Sequence, residues 1–141
     1  MAEIVETNIA LEKKIRLIEN EKYISIDTEF IRDNTYFSKL CLIQVASKNH
    51  SFIIDPLKKD INLESFREIL KKDSIIKIFH SGRQDMEIFY HLFGELPKPI
   101  YDTQIAAMVC GFGDQVSYEN LVSTLLNIRI DKSSRVSNWS F

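Results

Sequence analysis

The chain has 141 residues, of which 45% are hydrophobic and 27% are charged, with a formal net charge of −2. This length and apolar content predict one packed domain over residues 1–141 and exclude two domains of ordinary size. The near-neutral charge excludes a protein that coats nucleic acid through charge alone, but it is compatible with an enzyme that grips a short backbone segment through metal ions.

The distribution of apolar and acidic residues indicates a protein that is neither membrane-spanning nor secreted. No apolar run approaches the about 20 residues that span a bilayer, and the acidic N-terminal segment is unlike a signal peptide. Cys41 and Cys110 have no nearby Cys or His partner in the sequence. We therefore expect two buried free thiols and a cytoplasmic protein without membrane contact.

The first half of the chain predicts one helix followed by three strands. Asn8 is a suitable cap for a helix whose apolar residues recur at near-helical spacing (Ile9, Leu11, Ile15, Ile18). Three runs of strand character follow, at Tyr23 to Asp27, Lys39 to Ala46 and Ser51 to Asp55. Because the links between them are short, we expect an antiparallel meander.

The second half alternates helices with a strand. We expect a helix capped by Asn62, a buried strand from Ile75 to Phe79, and after Gly82 a helix with an apolar stripe of Met86, Phe89, Tyr90 and Phe93. Asp102 and Ser117 are suitable caps for two further helices, Thr103 to Cys110 and Tyr118 to Leu126. This order predicts an α/β sandwich with a mixed sheet.

An acidic pair ends the first strand of the meander. Side chains alternate along a strand, so Asp27 and Glu29 share one face, with Cα atoms roughly 6–7 Å apart. Two such carboxylates repel each other unless a cation lies between them, and Mg²⁺ or Mn²⁺ is the natural candidate. The alternative is a strand that frays into a solvated turn.

A second polar stretch, His80 to Asp85, lies where the buried strand turns into the next helix. Side chains at such a junction gather in the crevice at the carboxyl end of a sheet, and the helix dipole favours an acid at Asp85. As alternatives, Asp85 is an ordinary first-turn acid, and His80 is a packed or capping histidine.

Taken together, these stretches resemble ribonuclease D. The resemblance rests on motifs in that family's order and spacing: Asp27-Thr28-Glu29-Phe30, Leu42-Ile43-Gln44-Val45, Ile54-Asp55-Pro56-Leu57, Phe79-His80-Ser81-Gly82 with Asp85, Phe93-Gly94-Glu95-Leu96-Pro97, and Tyr101-Asp102-Thr103-Gln104. It runs from about Tyr23 to Trp139. It implies a ribonuclease H-like α/β fold, with a five-stranded mixed sheet flanked by helices, and a 3′–5′ exonuclease of the DEDD superfamily.

The resemblance also implies roles for individual residues. Asp27, Glu29 and Asp85 match three of the four metal-binding carboxylates, and they would hold two Mg²⁺ or Mn²⁺ ions about 3.5–4 Å apart for phosphodiester hydrolysis. Thr28, Phe30, His80 and Arg83 are expected to contact the substrate, the 3′ end of RNA (such as a tRNA precursor) or of single-stranded DNA. Phe30 is equally compatible with a core position, and Arg83 with a solvated helix charge.

One family motif has no counterpart in the sequence. The family's fourth carboxylate comes from a Tyr-x-x-x-Asp motif on a later helix, whereas here that spacing occurs only at Tyr23 and Asp27, within the first motif. We therefore expect a domain that is incomplete at its C-terminus, with apolar surface near Leu121, Leu125 and Leu126 that favours a homo-oligomer. The alternative function is a catalytically impaired remnant that acts as a nucleic-acid-binding or protein-interaction module.

Overall fold

The computed structural model describes residues 2–32 and 36–131. Six strands occur in these residues: β1 (Glu3–Val5), β2 (Tyr23–Ile31), β3 (Lys39–Ala46), β4 (Ser51–Ile54), β5 (Ile76–Phe79) and β6 (Ile100–Asp102). Five helices accompany them: α1 (Asn8–Ile18), α2 (Glu64–Lys71), α3 (Arg83–Phe93), α4 (Thr103–Val109) and α5 (Tyr118–Leu126). None of the helices in the described part of the chain has the length and apolarity needed to cross a membrane.

The strands form one mixed sheet in the order β1-β4-β3-β2-β5-β6. The meander β2-β3-β4 is antiparallel, as the short links predict, while β5 pairs with β2, β6 with β5, and β1 with β4 in parallel. The predicted α/β class with a mixed sheet is therefore confirmed. The sheet has six strands where the resemblance implied five, because β1 and β6, each of three residues, extend the four strands predicted from the sequence at the two edges.

A single hydrophobic core lies between one face of the sheet and helices α1, α2 and α3. The helices contribute the apolar residues predicted for their inner faces, including Leu11, Phe66 and Phe89, and β2 contributes Ile24 and Ile26. These side chains are almost fully buried, and burying each one stabilises the fold by about 1.5–3 kcal/mol. The opposite face of the sheet carries the polar residues of β2.

Helix caps agree with the sequence in two of four cases. Ser117 and Asp102 accept backbone N–H groups at the starts of α5 and α4. Asn62 was expected to cap α2, but Leu63 holds that position, and Asn62 lies one residue earlier, where its side chain accepts the N–H of Glu64. Asn8 was expected to cap α1, but Thr7 holds that position and accepts from the N–H of Ala10. The Asn8 amide oxygen instead accepts the N–H of Asn62, which ties the starts of two helices together.

Three apolar positions differ from the sequence prediction. Cys41 is buried as expected, but Cys110 is exposed, because α4 buries only Ala107 and the chain leaves the core before Cys110. Tyr90 is 59% exposed instead of lying in the core stripe of α3. In α5, Leu125 and Leu126 are exposed as expected, whereas Leu121 is buried.

Candidate active site

Strand β2 presents Asp27 and Glu29 on the face of the sheet opposite the core. Burial alternates along the strand, with Ile24, Ile26 and Thr28 buried and Asp27 exposed. Asp27 lies opposite Gln44 of β3, so their side chains share this face. The register shifts between Glu29 and Phe30: Glu29 pairs with Leu42, whereas the next residue, Phe30, pairs with Leu40. Such a bulge locally re-aims side chains and is common beside active sites.

Asp85 lies in the first turn of α3, and its side chain is only 7% exposed. The hydroxyl of Thr28 donates a hydrogen bond to its Oδ1 atom. Burial raises the pKa of Asp85 to about 6, and the nearby Asp27 charge adds to the rise, while the hydrogen bond from Thr28 opposes it. A carboxyl group with this pKa is protonated more readily than an ordinary aspartate, which is typical of functional sites.

The three predicted acids influence one another electrostatically. Burial raises the pKa of Glu29, and the charges of Asp27 and Asp85 raise it further. Although Asp27 is exposed when the whole residue is considered, partial burial of its carboxyl group raises its pKa. The backbone N–H of Thr28 and the charge of His80 oppose this rise. The fold thus places Asp27, Glu29 and Asp85 close enough for their charges to interact, in surroundings that disfavour the ionised form of each carboxyl group.

Asp102 holds the turn that leads into α3, a role that its sequence position did not reveal. Its carboxylate accepts the backbone N–H groups of Ser81 (3.0 Å) and Gly82 (2.8 Å) while also capping α4 through Gln104 (2.9 Å). Burial alone raises the pKa of Asp102, but these N–H donors together lower it. Its only signal in the sequence was a helix cap; the second contact depends on β6 lying beside β5.

The turn itself explains the Ser81-Gly82 dipeptide. Ser81 has a φ of 57°, in the left-handed region that most residues avoid. At Gly82 an added Cβ atom would lie 2.6 Å from the Cβ of Phe79, so no larger side chain fits. The turn therefore depends on glycine for close packing and on Asp102 for its hydrogen bonds.

His80 links three segments around the sheet face. Its Nδ1 atom lies 2.8 Å from Oγ1 of Thr103, and its Nε2 atom lies 2.9 Å from the carbonyl oxygen of Val116. The ring of Tyr118 meets the imidazole edge-on, with centroids 5.7 Å apart. Both ring nitrogens thus have protein partners, which favours the packed-histidine alternative, and a contact between His80 and substrate stays a prediction.

The other predicted substrate contacts differ in exposure. Phe30 is half-buried and packs against the core, in keeping with the alternative noted for it. The Arg83 side chain is 91% exposed and lies 3.4 Å from the Glu87 carboxylate. Thr28 is 6% exposed and faces Asp85, so its burial disfavours a direct contact with substrate. For all three residues, substrate contact stays a prediction.

A groove of about 540 Å³ runs along this face of the sheet. Its polar lining includes Ser25, Asp27, Glu29, Gln44 and His80. Its two carboxylates, Asp27 and Glu29, are donors of the kind that Mg²⁺ and Mn²⁺ prefer, so they fit a divalent cation chemically. Within residues 2–32 and 36–131, however, no three His, Cys, Asp or Glu side chains are already spaced to enclose a metal ion.

Comparisons with known proteins agree with the resemblance. A family model described as a 3′–5′ exonuclease matches residues 2–140. Ribonuclease D of Bartonella henselae is 43% identical over the whole chain, which covers 35% of that protein. The crystal structure of Escherichia coli RNase D superposes with a TM-score of 0.92 at 34% identity, covering 99% of this chain and 37% of that one.

A more distant structure has the same fold. The catalytic core of RRP6 from Trypanosoma brucei superposes with a TM-score of 0.87 at 25% identity, covering 99% of this chain and 38% of that one. The chain therefore spans about a third of the length of the relatives that it matches.

Proposed function

The chain belongs to the 3′–5′ exonuclease domain family, and from this premise we propose that it contributes the acidic site of a ribonuclease D-type hydrolase. The proposed reaction removes nucleotides one at a time from the 3′ end of RNA or single-stranded DNA and releases nucleoside monophosphates. The observation that carries the proposal is the closeness of three acids: the charges of Asp27 and Asp85 raise the pKa of Glu29, and the charge of Asp27 raises the pKa of Asp85.

The proposed cofactors are two divalent cations, Mg²⁺ or Mn²⁺, held by Asp27, Glu29 and Asp85. Asp27 is the residue that we expect to bridge both ions. Bound there, the cations would supply charge stabilisation for the attacking and leaving oxygens of the phosphodiester and a hydroxide near neutral pH. The elevated pKa values support this assignment, because a cation would offset the burial of the three carboxyl groups and the neighbouring negative charge at Glu29 and Asp85, both of which now favour protonation.

The neighbouring residues orient the acids in the proposed mechanism. Thr28 fixes the rotamer of Asp85 through its hydroxyl, and Asp102 holds the turn from which α3 presents that residue. His80 counters the negative charge at Asp27. Phe30 and Arg83 are proposed to contact the terminal nucleotide and a phosphate, respectively. Pre-formed positions of this kind lower the reorganisation that hydrolysis requires.

The proposed substrate class is RNA. The Escherichia coli relative is described as an exoribonuclease involved in structured RNA processing, and we propose the same class here, with the 3′ ends of tRNA precursors as one example. The free thiols Cys41 and Cys110 fit a reducing compartment, so a cytoplasmic location is part of the proposal.

A second candidate is a catalytically impaired module that binds nucleic acid or a protein partner. The observation that favours it is the spacing of the acids, since no metal-holding group of three is formed within the described ranges. The sequence also has no Tyr-x-x-x-Asp beyond Tyr23 and Asp27. Under this candidate function, the chain binds its partner at the groove but does not hydrolyse nucleic acid.

One experiment tests both candidates. A 5′-labelled single-stranded RNA is incubated with Mn²⁺ and the wild-type chain, with Asp27→Asn, or with the exposed-site control Glu12→Gln. We expect a ladder of shortened labelled products from the wild type and the control, its loss with Asp27→Asn, and its loss with chelator. Release of the label as a mononucleotide would contradict 3′–5′ attack, and retained binding without any product would favour the impaired module.

A further inference from the structure

A second cavity, of about 660 Å³, lies beside the strand and helix that carry the acids. The residues that give it its character are aromatic and charged: Arg32, Tyr36, Phe37, Glu87, Tyr90 and His91. None of these side chains is assigned to the proposed hydrolysis. The cavity therefore needs an explanation of its own.

Aromatic rings form its walls in a stacked arrangement. The rings of Phe37 and His91 lie face to face, with centroids 3.9 Å apart and planes 12° from parallel. Tyr36 meets Phe37 edge-on at 4.9 Å and is itself 85% exposed. Tyr90 is 59% exposed on the same helix as His91. A hydrophobic core does not account for rings this accessible to solvent, whereas a planar aromatic ligand would bury them.

The cavity is connected to the acids through β2 and α3, because its lining comes from α3 and from residues that follow the end of β2. Arg32 follows Glu29 by three residues at the end of β2, a span of about 10 Å in an extended chain. His91 follows Asp85 by six residues along α3, a rise of about 9 Å. A strand of a few nucleotides whose 3′ end lies at the acids therefore reaches the cavity.

We propose that this cavity is a stacking site for the bases of a single-stranded nucleic acid whose 3′ end is bound at Asp27, Glu29 and Asp85. The inference rests on the proposed function for the position of that 3′ end. Aromatic rings accept any base by stacking, since every base has a π face. The exposed Arg32 guanidinium is available for a phosphate, and the charge of Glu87 is countered by Arg83 at 3.4 Å.

This site gives the domain an affinity for single-stranded nucleic acid that does not depend on metal ions. With a net charge of −2, the chain has little general attraction for a polyanion. Base stacking and the nearby Arg32 supply affinity that does not require this general attraction. The site is also indifferent to sequence, which suits an enzyme that must move along a strand one nucleotide at a time.

Binding in the absence of hydrolysis is the direct test. A 5′-fluorescent hexauridylate is titrated in chelator, with anisotropy as the readout, against the wild type, Tyr36→Leu and His91→Leu. Tyr23→Leu is the matched control, because Tyr23 is 48% exposed at the opposite end of β2. We expect binding to weaken on the order of tenfold for each ring removed, with the control unchanged. An oligonucleotide with abasic internal sites should bind the wild type as weakly as the intact one binds the variants.

Failure of this inference is distinguishable from failure of the proposed function. Equal binding by the wild type and both ring variants, or full affinity for the abasic strand, would overturn the stacking site. Shortening of RNA from its 3′ end that depends on Asp27 would still stand in that case. Ring-dependent binding without any shortening would support the stacking site and overturn the hydrolysis.

Discussion

Replacing Asp85 by Asn should stabilise the metal-free protein at neutral pH. Burial raises the pKa of Asp85 from an ordinary value of 3.8 to about 6, so the folded state favours the protonated carboxyl group. The stabilisation that the folded state gains from its higher proton affinity at Asp85 is complete below pH 3.8 and is lost as the pH rises through 6. Because each tenfold change in proton affinity corresponds to about 1.4 kcal/mol, the ionised group costs the folded state about 3 kcal/mol at pH 8.

Asparagine removes this cost while keeping the local contact. Its amide oxygen can still accept the hydrogen bond that Thr28 donates to Oδ1, and its size matches that of aspartate. We therefore expect Asp85→Asn and the wild type to have nearly equal free energies of unfolding near pH 4. The variant should be more stable by up to about 3 kcal/mol at pH 8, with most of the divergence between pH 4 and 7.

Urea unfolding in chelator, repeated from pH 4 to pH 8, measures this difference. The control is Glu87→Gln, an exposed acid on the same helix, for which we expect no comparable divergence with pH. Added Mn²⁺ should stabilise the wild type and leave Asp85→Asn unchanged, since the ligand is lost. An Asp85→Asn variant that is less stable than the wild type at pH 8, or a difference that is constant with pH, would refute the reasoning.

Three further predictions concern the same region. Asp27→Ala should abolish Mn²⁺ binding in calorimetry, with Glu12→Gln as the control, and equal binding by Asp27→Ala and the wild type would show that the metal lies elsewhere. Asp102→Ala should lower the free energy of unfolding by at least about 1–2 kcal/mol at pH 7, because it removes a helix cap and the carboxylate that accepts the N–H groups of Ser81 and Gly82 in the turn; an unchanged urea midpoint would argue against this. A chain extended through a helix bearing Tyr-x-x-x-Asp should turn over on the order of 10²-fold faster or more; comparable turnover would mean that the catalytic set is completed in another way. In light scattering we expect the extended chain to be monomeric and this chain to self-associate through the exposed Leu125 and Leu126.

The sequence predicted those features that depend on local periodicity. Alternation along Ile24 to Glu29 separated the buried face of β2 from the acidic one, and the side chains of Asp102 and Ser117 marked the starts of α4 and α5. These signals are strong because strand period and cap chemistry act within a few residues. Strand alternation paired Asp27 with Glu29, whereas the resemblance to ribonuclease D was what joined Asp85 to them as one hypothesis.

Features set by tertiary contacts were beyond the reach of the sequence. Strands β1 and β6 have three residues each, too few for a period, and exist because a neighbouring strand offers them hydrogen bonds. Tyr90 is exposed although its spacing on α3 fits the apolar stripe, because spacing alone does not determine which edge of a stripe the neighbouring elements cover. The second contact of Asp102 similarly requires β6 to align with β5.

The position of β2 within the sheet determines which parts of the site can move. β2 is hydrogen-bonded to β3 at Asp27 and Glu29 and to β5 through Tyr23 to Ser25, so shifting the two acids would break the ladder to β3 beside a segment that β5 also holds. Asp85, by contrast, lies on a helix that enters through a two-residue turn held by one carboxylate. Changes in the distance between the acids therefore arise mainly from tilting of α3. In hydrogen exchange, the amides of β2 should open only with global unfolding, whereas those of the Ser81-Gly82 turn should open earlier and report on the geometry of the site.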